Sequence, residues 1–281
     1  MVGRRRTLSR MTFATPPFTR RTFLVHAGRG TIALAVLSVA GCGPSAVASA
    51  VPSSERSAEP SPSDALSADP SVTTSGSSAP PSSATGGVTW QRANLGFVSA
   101  YVLVRAGEAA IVDTGTTGSA GKIGEALVAA GVDWPQVAHV ILTHKHGDHA
   151  GSIAGVLQEA ADAAVYAGQA DIPNIEAPKP ITAVADGETV FGLRVVATPG
   201  HTAGHIAVLD EAGGILVAGD ALGTSGGTLT GSNPSFTEDA DAATATVVKL
   251  GKLTFETLLV GHGEPILEGA SAQVAALAAA S

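Results

Sequence analysis

The chain has 281 residues, of which 44% are hydrophobic, 14% charged and 4% aromatic, with a formal net charge of −8; that length accommodates one or two domains. Glycine shows no triplet period and no stretch carries a sustained heptad rich in Glu and Lys, which excludes collagen-like and coiled-coil architectures. Residues 1–41 hold seven Arg and no acidic residue, so 9 of the 16 basic residues face all 24 acidic ones from residue 42 onward, a net of −15; a body that acidic repels phosphate backbones, and no nucleic-acid partner is expected.

The basic leader reads as an export signal. Thr19-Arg20-Arg21-Thr22-Phe23-Leu24 resembles the twin-arginine signal, and the apolar run Thr31 to Ala40 follows it. A membrane-spanning helix needs about 20 apolar residues, so the run fits the hydrophobic region of a signal peptide over residues 1–41. Everything that signal needs lies beyond Met11, which is an alternative start to Met1. Val39-Ala40-Gly41-Cys42 resembles a lipobox, where a bacterial lipoprotein is cleaved and acylated on its new N-terminal Cys. Cys42 is the only cysteine, so no intramolecular disulfide exists and the thiol is read as a lipid acceptor that anchors the protein outside the cytoplasmic membrane. The alternative is a secretory signal cut after Ala48-Ser49-Ala50, with Cys42 incidental and the protein released.

Residues 42–87 form a linker. Positions 43–87 contain 14 Ser, 8 Ala and 7 Pro and no aromatic residue, too little apolar surface to offset ordering entropy, so the stretch is expected to be a disordered tether. The folded part, 88–281, is long enough for one well-filled core. Val98 to Val104 and Ala109 to Val112 read as a hairpin broken at Gly107. Ser119 caps an expected helix carrying Ile123, Leu127 and Val128 and ending at Gly131, with Pro135 in the following turn. Ala138 to Thr143 reads as a buried strand, and a helix is expected from about Gly151 to Ala160. Strands follow near Thr189, Leu193 to Ala197, Ile206 to Leu209 and Ile215 to Ala218. Then come a helix over Ala240 to Leu250, a strand over Thr257 to Val260 and an Ala-rich helix over Ser271 to Ala280. The pattern shows no regular βαβ repeat.

The chemistry concentrates in Thr143-His144-Lys145-His146-Gly147-Asp148-His149. In extended chain, residues two apart share a side, so His144 and His146 converge on one cation while Lys145 faces away. Past Gly147, where a sharp turn is expected, Asp148 and His149 project a carboxylate and a third imidazole toward a neighbouring position, enough for a second ion. Three further donors each follow an apolar strand and sit beside glycine: His201 after Thr198-Pro199-Gly200, Asp220 after Ala218-Gly219, and His262 between Gly261 and Gly263. Seven of the eight histidines lie beyond the leader, and five of those fall at these points.

The order Asp113 in Ile-Val-Asp-Thr-Gly, His144-x-His146-x-Asp148-His149, His201, Asp220 and His262 resembles the metallo-β-lactamase superfamily over residues 90–266. The resemblance implies an α+β fold, an αββα sandwich in a single domain, with two ions in a cleft at one sheet edge. His144, His146 and His201 would hold the first ion, Asp148, His149 and His262 the second, and Asp220 would bridge them. Asp113 would orient the ligand loop. The implied activity is hydrolysis of a small ester, thioester, lactone or amide by a hydroxide shared between the ions, with Asp148 as a proton relay. Zinc suits this set; manganese and iron also accept imidazole and carboxylate.

Asp220 at the bridging position is similar to glyoxalase II, lactonases and related hydrolases and disfavours antibiotic hydrolysis. Only 19 residues follow His262, so the helical domain with which glyoxalase II binds glutathione is expected to be missing. Tyr101 and Tyr166 are candidates for substrate contact or for packing, His205 and Thr202 for support of the ligands, and His139 for a satisfied structural role. Two other functions stay open: a mononuclear iron oxidoreductase resembling persulfide dioxygenases, and a tethered metal-binding protein without turnover.

Overall fold

The structure is a computed structural model and describes residues 86–281. The leader, Cys42 and the linker through residue 85 lie outside the described residues.

Strand β1 (Thr89–Asn94) pairs antiparallel with β2 (Ser99–Arg105), which turns back as β3 (Glu108–Val112). The expected hairpin is present. Ala106 and Gly107 at its tip have φ of 52° and 83°, the left-handed pair that lets a two-residue turn follow the twist of its strands. The sheet then continues in parallel through β4 (Val137–Leu142), β5 (Ala164–Gly168) and β6 (Ile181–Val184). Helix α1 (Ala120–Ala129) crosses from β3 to β4, and the single turn α2 (Gly147–Ala150) with α3 (Ile153–Glu159) crosses from β4 to β5. These are two parallel crossovers of the βαβ kind, set between antiparallel stretches, so the chain as a whole has no regular βαβ repeat. The sequence reading also marks no strand at β1, β5 or β6. β5, Ala-Val-Tyr-Ala-Gly, carries two strong strand formers, and its pairing is supplied by neighbours distant in sequence.

In α1, Ile123, Ala126 and Leu127 are buried while Val128 is 70% exposed. Five residues beyond Ile123, Val128 stands about 140° around the helix and cannot share its face. Ser119 occupies the N-cap position without a side-chain capping bond.

The second half of the chain forms β7 (Thr189–Val190), β8 (Leu193–Ala197), β9 (Ile206–Asp210), β10 (Ile215–Gly219), the hairpin β11 (Leu222–Ser225) and β12 (Thr228–Gly231), α4 (Ala240–Leu250), β13 (Thr257–Val260) and α5 (Ala270–Ala280). β13-β10-β9-β8-β7 make the second sheet, and β11 with β12 a small third one.

Strand periodicity builds four layers. In β2, Ala100 and Val102 pack with Ile123, Leu127, Ile153 and Val156 of α1 and α3, whereas Tyr101 and Leu103 point the other way, against Val195, Val208 and Val217 of the second sheet. In that sheet Val196, Leu209, Leu216 and Leu258 face outward onto Val247, Leu250 and Val274 of α4 and α5. Successive side chains alternate faces, so each sheet is apolar on both sides and is covered by helices outside and by its partner inside. The order is helix, sheet, sheet, helix in one mixed α/β domain. β8 and β10 both run antiparallel to β9, and β13 runs parallel to β10. The C-terminal ends of β8, β10 and β13 therefore share one edge, as those of β3 and β4 do in the first sheet. Loops at those ends are where open sheets place their chemistry.

Candidate metal centre

Val140, Ile141 and Leu142 anchor β4 in the core, so its end is fixed and delivers Thr143 and His144, both fully buried. His144 Nε2 lies 3.1 Å from His146 Nδ1, and His201 Nε2 lies 2.9 Å from that same His146 atom. Lys145 between them turns away, its Nζ 2.7 Å from Glu238. Gly147 does not make the expected sharp turn. It opens α2, and a Cβ added there would meet nothing within 4 Å; one helical turn re-aims the chain without left-handed backbone. That turn presents Asp148 and His149. His262 Nε2 stands 3.3 Å from His149 Nε2 and 3.3 Å from Asp148 Oδ2.

Asp220 stands between the two groups: Oδ1 is 3.2 Å from His149 Nε2, and Oδ2 is 3.4 Å from His201 Nε2 and 3.2 Å from His262 Nε2. All seven expected donors are thus brought together, as His144–His146–His201, Asp148–His149–His262 and the linking set His144–His149–Asp220. Donors that share a tetrahedral ion with bonds of about 2.0–2.1 Å lie about 3.3 Å apart, so the spacing fits divalent cations.

The outer hydrogen bonds fix how the rings present themselves. Thr143 Oγ1 donates to Asp113 and so accepts from His144 Nδ1, 3.0 Å away. His149 Nδ1 donates to Asp113 Oδ2 at 2.8 Å, and His262 Nδ1 to the Phe97 carbonyl at 2.8 Å. Thr237 donates to the Asn233 carbonyl and accepts from Ser232, whose oxygen is then free to accept from His201 Nδ1 at 3.0 Å. Each outer nitrogen is a donor, so four Nε2 lone pairs face one another across the cleft. Among the described residues, Asp220 Oδ1 is buried there without a hydrogen-bond partner, because in this tautomer its neighbour His149 Nε2, 3.2 Å away, presents a lone pair. Facing lone pairs and an unpartnered buried carboxylate oxygen are satisfied by cations.

Electrostatics agree. Burial holds His144 well below the ordinary imidazole range and lowers His201 to about 4, leaving both neutral and able to ligate. Burial opposes charge on His149 as well, but the Asp113 and Asp220 carboxylates outweigh it and raise the ring to about 10. Hydrogen bonds to Asp148 and Asp220 raise His262 to about 10. Asp220 is itself depressed far below the carboxylate range: burial opposes this, and His149 and His262 overcome it. With no cation bound, protons on His149 and His262 supply the positive charge that three carboxylates demand.

Asp113 also accepts the Thr143 backbone N–H at 2.7 Å, so one carboxylate holds both the end of β4 and the His149 ring. His205 holds the backbone N–H of Asp220 on its Nε2 at 3.1 Å, with Nδ1 against Thr198 Oγ1. Burial lowers it to about 3, which keeps that nitrogen an acceptor. Thr202 donates to Asp171 at 2.6 Å. Asp171 escapes the sequence reading. It is fully buried, and its carboxylate also accepts the N–H groups of Lys145 and Gly204, at 3.0 and 2.8 Å, which clamps the His144–His146 loop to the His201 loop. Its surroundings, Ala170-Asp171-Ile172-Pro173, carry no motif. Gly261 is required for contact: a Cβ there would fall 2.2 Å from Asp220 Oδ1 and 2.6 Å from the His149 ring.

Tyr101 is packing. Its hydroxyl donates to the Val260 carbonyl at 2.8 Å, and burial raises it to about 12. Tyr166 packs on His139, ring centroids 5.7 Å apart. His139 is not satisfied as expected: its Nδ1 is buried with no hydrogen-bond partner among the described residues, because Tyr166 and Phe191 rings flank it. Burial lowers its pKa.

Residues 93–262 match the family described as Metallo-beta-lactamase superfamily. A "Probable metallo-hydrolase YflN" of Bacillus subtilis (strain 168) is 31% identical over 231 residues, covering 64% of this chain and 84% of that protein. A "Hydroxyacylglutathione hydrolase" of Parasynechococcus marenigrum (strain WH8102) is 33% identical over 141 residues, 45% of this chain, and the chain spans only 51% of that relative's length. Among solved structures, a metallo-beta-lactamase family protein of Thermus thermophilus superposes with a TM-score of 0.55 at 24% identity, covering 69% of this chain and 79% of that one, a likeness of fold.

Proposed function

The chain belongs to the metallo-beta-lactamase superfamily, and from that premise we propose that it is a hydrolase that uses two divalent cations, zinc first among them, to cleave a small ester, thioester, lactone or amide. The observation that carries this reading is the Asp220 carboxylate, with one oxygen toward His149 and the other toward His201 and His262. A single-ion site has no need of a donor between two histidine groups. His144, His146 and His201 would hold one ion, Asp148, His149 and His262 the other, and Asp220 would be shared. Bound divalent ions supply Lewis acidity, which lowers the pKa of water from about 15.7 toward roughly 7 and polarises a carbonyl. Asp113 and Thr143 hold His149 and His144 in the ligating tautomer. Asp148, with its side chain 27% exposed, is the more exposed of the two carboxylates on the cleft, and it would take the proton released from the attacking water and pass it to the leaving atom.

The full chain purified without added metal is expected to carry two equivalents of zinc, to hydrolyse generic esters, and to lose that activity on chelation and regain it with zinc. One redox-active iron per chain with oxygen consumption would establish the oxidoreductase instead. A fully loaded protein inert toward a broad ester, thioester and lactone panel would establish a binding protein.

The leader supports a location. We propose that the twin-arginine segment exports the chain and that acylation of Cys42 anchors it outside the cytoplasmic membrane, within reach of small-molecule substrates. Cys42→Ala is expected to move the protein from the membrane fraction to the medium; an unchanged distribution would rule out the anchor.

A further inference from the structure

The cleft beside the metal-ligand cluster has a volume of about 910 Å³ and is walled by the β11–β12 hairpin and the segment through Phe236. That is the upper part of the range for small-molecule sites and far more than a scissile bond requires. Leu222 and Pro234 line it, and Phe97 and Phe236 flank it, 66% and 65% exposed. Large apolar side chains left in water beside a reactive centre are informative, because they bury area only when something lies on them.

What the wall lacks is equally specific. Among the described residues, no Lys or Arg lines the cleft. The cations nearest the ligand loops are already paired: Lys145 with Glu238 at 2.7 Å, and Arg92 with Glu264 at 2.6 Å. Three of the wall hydroxyls are also engaged, Thr224 on the Glu264 carbonyl, Thr230 on the Gly223 carbonyl, and Ser232 between His201 and Thr237, which leaves the Ser225 hydroxyl and the Asn233 amide as neutral polar groups on the wall. A carboxylate or phosphate on the substrate, away from the bond being cleaved, would lose its water and find no cation among the described residues to offset that cost.

We propose that the substrate is an uncharged acyl compound whose hydrocarbon chain lies along the apolar wall formed by Phe97, Leu222, Pro234 and Phe236. This rests on the hydrolase reading and narrows it: substrates with carboxylates in the acyl part are excluded by the absence of a cation. Phe236 determines specificity by contact.

The test uses the zinc-loaded full chain and 4-nitrophenyl esters of acetate, butyrate, hexanoate and octanoate, together with the adipate monoester, which has the hexanoate length and a terminal carboxylate. Burial of each methylene is worth up to about fourfold, so kcat/KM is expected to rise two- to fourfold per carbon, with the adipate ester at least about tenfold slower than hexanoate. Phe236→Ala flattens the slope, and Phe236→Arg, which adds the missing cation, narrows the gap between adipate and hexanoate. Phe236 is largely exposed, so neither change opens a cavity. A flat chain-length series, or equal rates for adipate and hexanoate, overturns the proposal while leaving the hydrolase reading intact. If none of these esters is cleaved, the hydrolase reading is decided by the wider thioester and lactone panel, and calorimetry still decides the cleft: octanamide binding tighter than butanamide, with the difference lost in Phe236→Ala, sustains it, and equal binding refutes it.

Discussion

Asp220→Ala is expected to lower kcat/KM for ester hydrolysis by about 10³-fold or more and to cut metal content below two equivalents. The size follows from what one carboxylate does. It supplies a donor to each histidine group, and single groups that stabilise charge in a dry site already contribute about 10²- to 10³-fold. It also opposes the mutual repulsion of His149 and His262, which its charge helps to raise to about 10. Removing it leaves those rings competing for protons with fewer anions to hold a cation in their place. Elemental analysis beside kinetics separates the effects, and circular dichroism checks the fold. Retention of two ions and near-normal turnover in this variant would remove the basis for a shared ligand.

Asp113→Asn is the second large effect, and its severity is not intuitive for so small a change. Both carboxylate oxygens accept: Oδ1 from the Thr143 N–H at 2.7 Å, Oδ2 from His149 Nδ1 at 2.8 Å. An amide must set its NH₂ against one of these donors. If it faces Thr143, a buried N–H is orphaned; if it faces His149, the ring moves its proton to Nε2 and no longer offers a lone pair to the cleft. Metal affinity is expected to fall about 10- to 100-fold, with about 3–5 kcal/mol lost from stability because a buried charged partner is gone. Competition with a zinc chelator reads the first and urea unfolding the second. The left-handed backbone at Asp113, φ 63°, is one that Asn adopts as readily, so a loss cannot be assigned to strain. Wild-type affinity in this variant would show that His149 keeps its tautomer without help.

What the sequence reveals about the centre depends on how locally each role is encoded. His144, His146, Asp148 and His149 lie within six residues; alternation along extended chain places His144 and His146 together, whereas the helical turn that presents Asp148 and His149 is not read from that alternation. His201, Asp220 and His262 are legible because each follows a strongly apolar strand and neighbours glycine, a pattern set by core packing. Asp171 is not legible: its importance arises from Lys145 and Gly204 approaching it from two distant loops, and no short-range pattern records that. The same holds for the cleft beside the ligand cluster. The β11–β12 hairpin that walls it is a Gly- and Thr-rich stretch that reads as loop, and Phe236 sits in no periodic segment. β5 and β6 are equally hidden, because each pairs in parallel with a strand that a crossover connection brings alongside.

The four donors between His144 and His149 hang from the first sheet, while His201, Asp220 and His262 hang from the second. Neither sheet alone offers a complete coordination shell, so occupancy and docking of the halves form one equilibrium. A ligand a thousandfold above its dissociation constant adds about 4 kcal/mol to such a coupled state, comparable with much of a small domain's margin. Bound ions would then act as rivets across the interlayer seam. A chain folded before translocation would travel with its metals aboard, whereas one threaded unfolded would have to scavenge them on arrival.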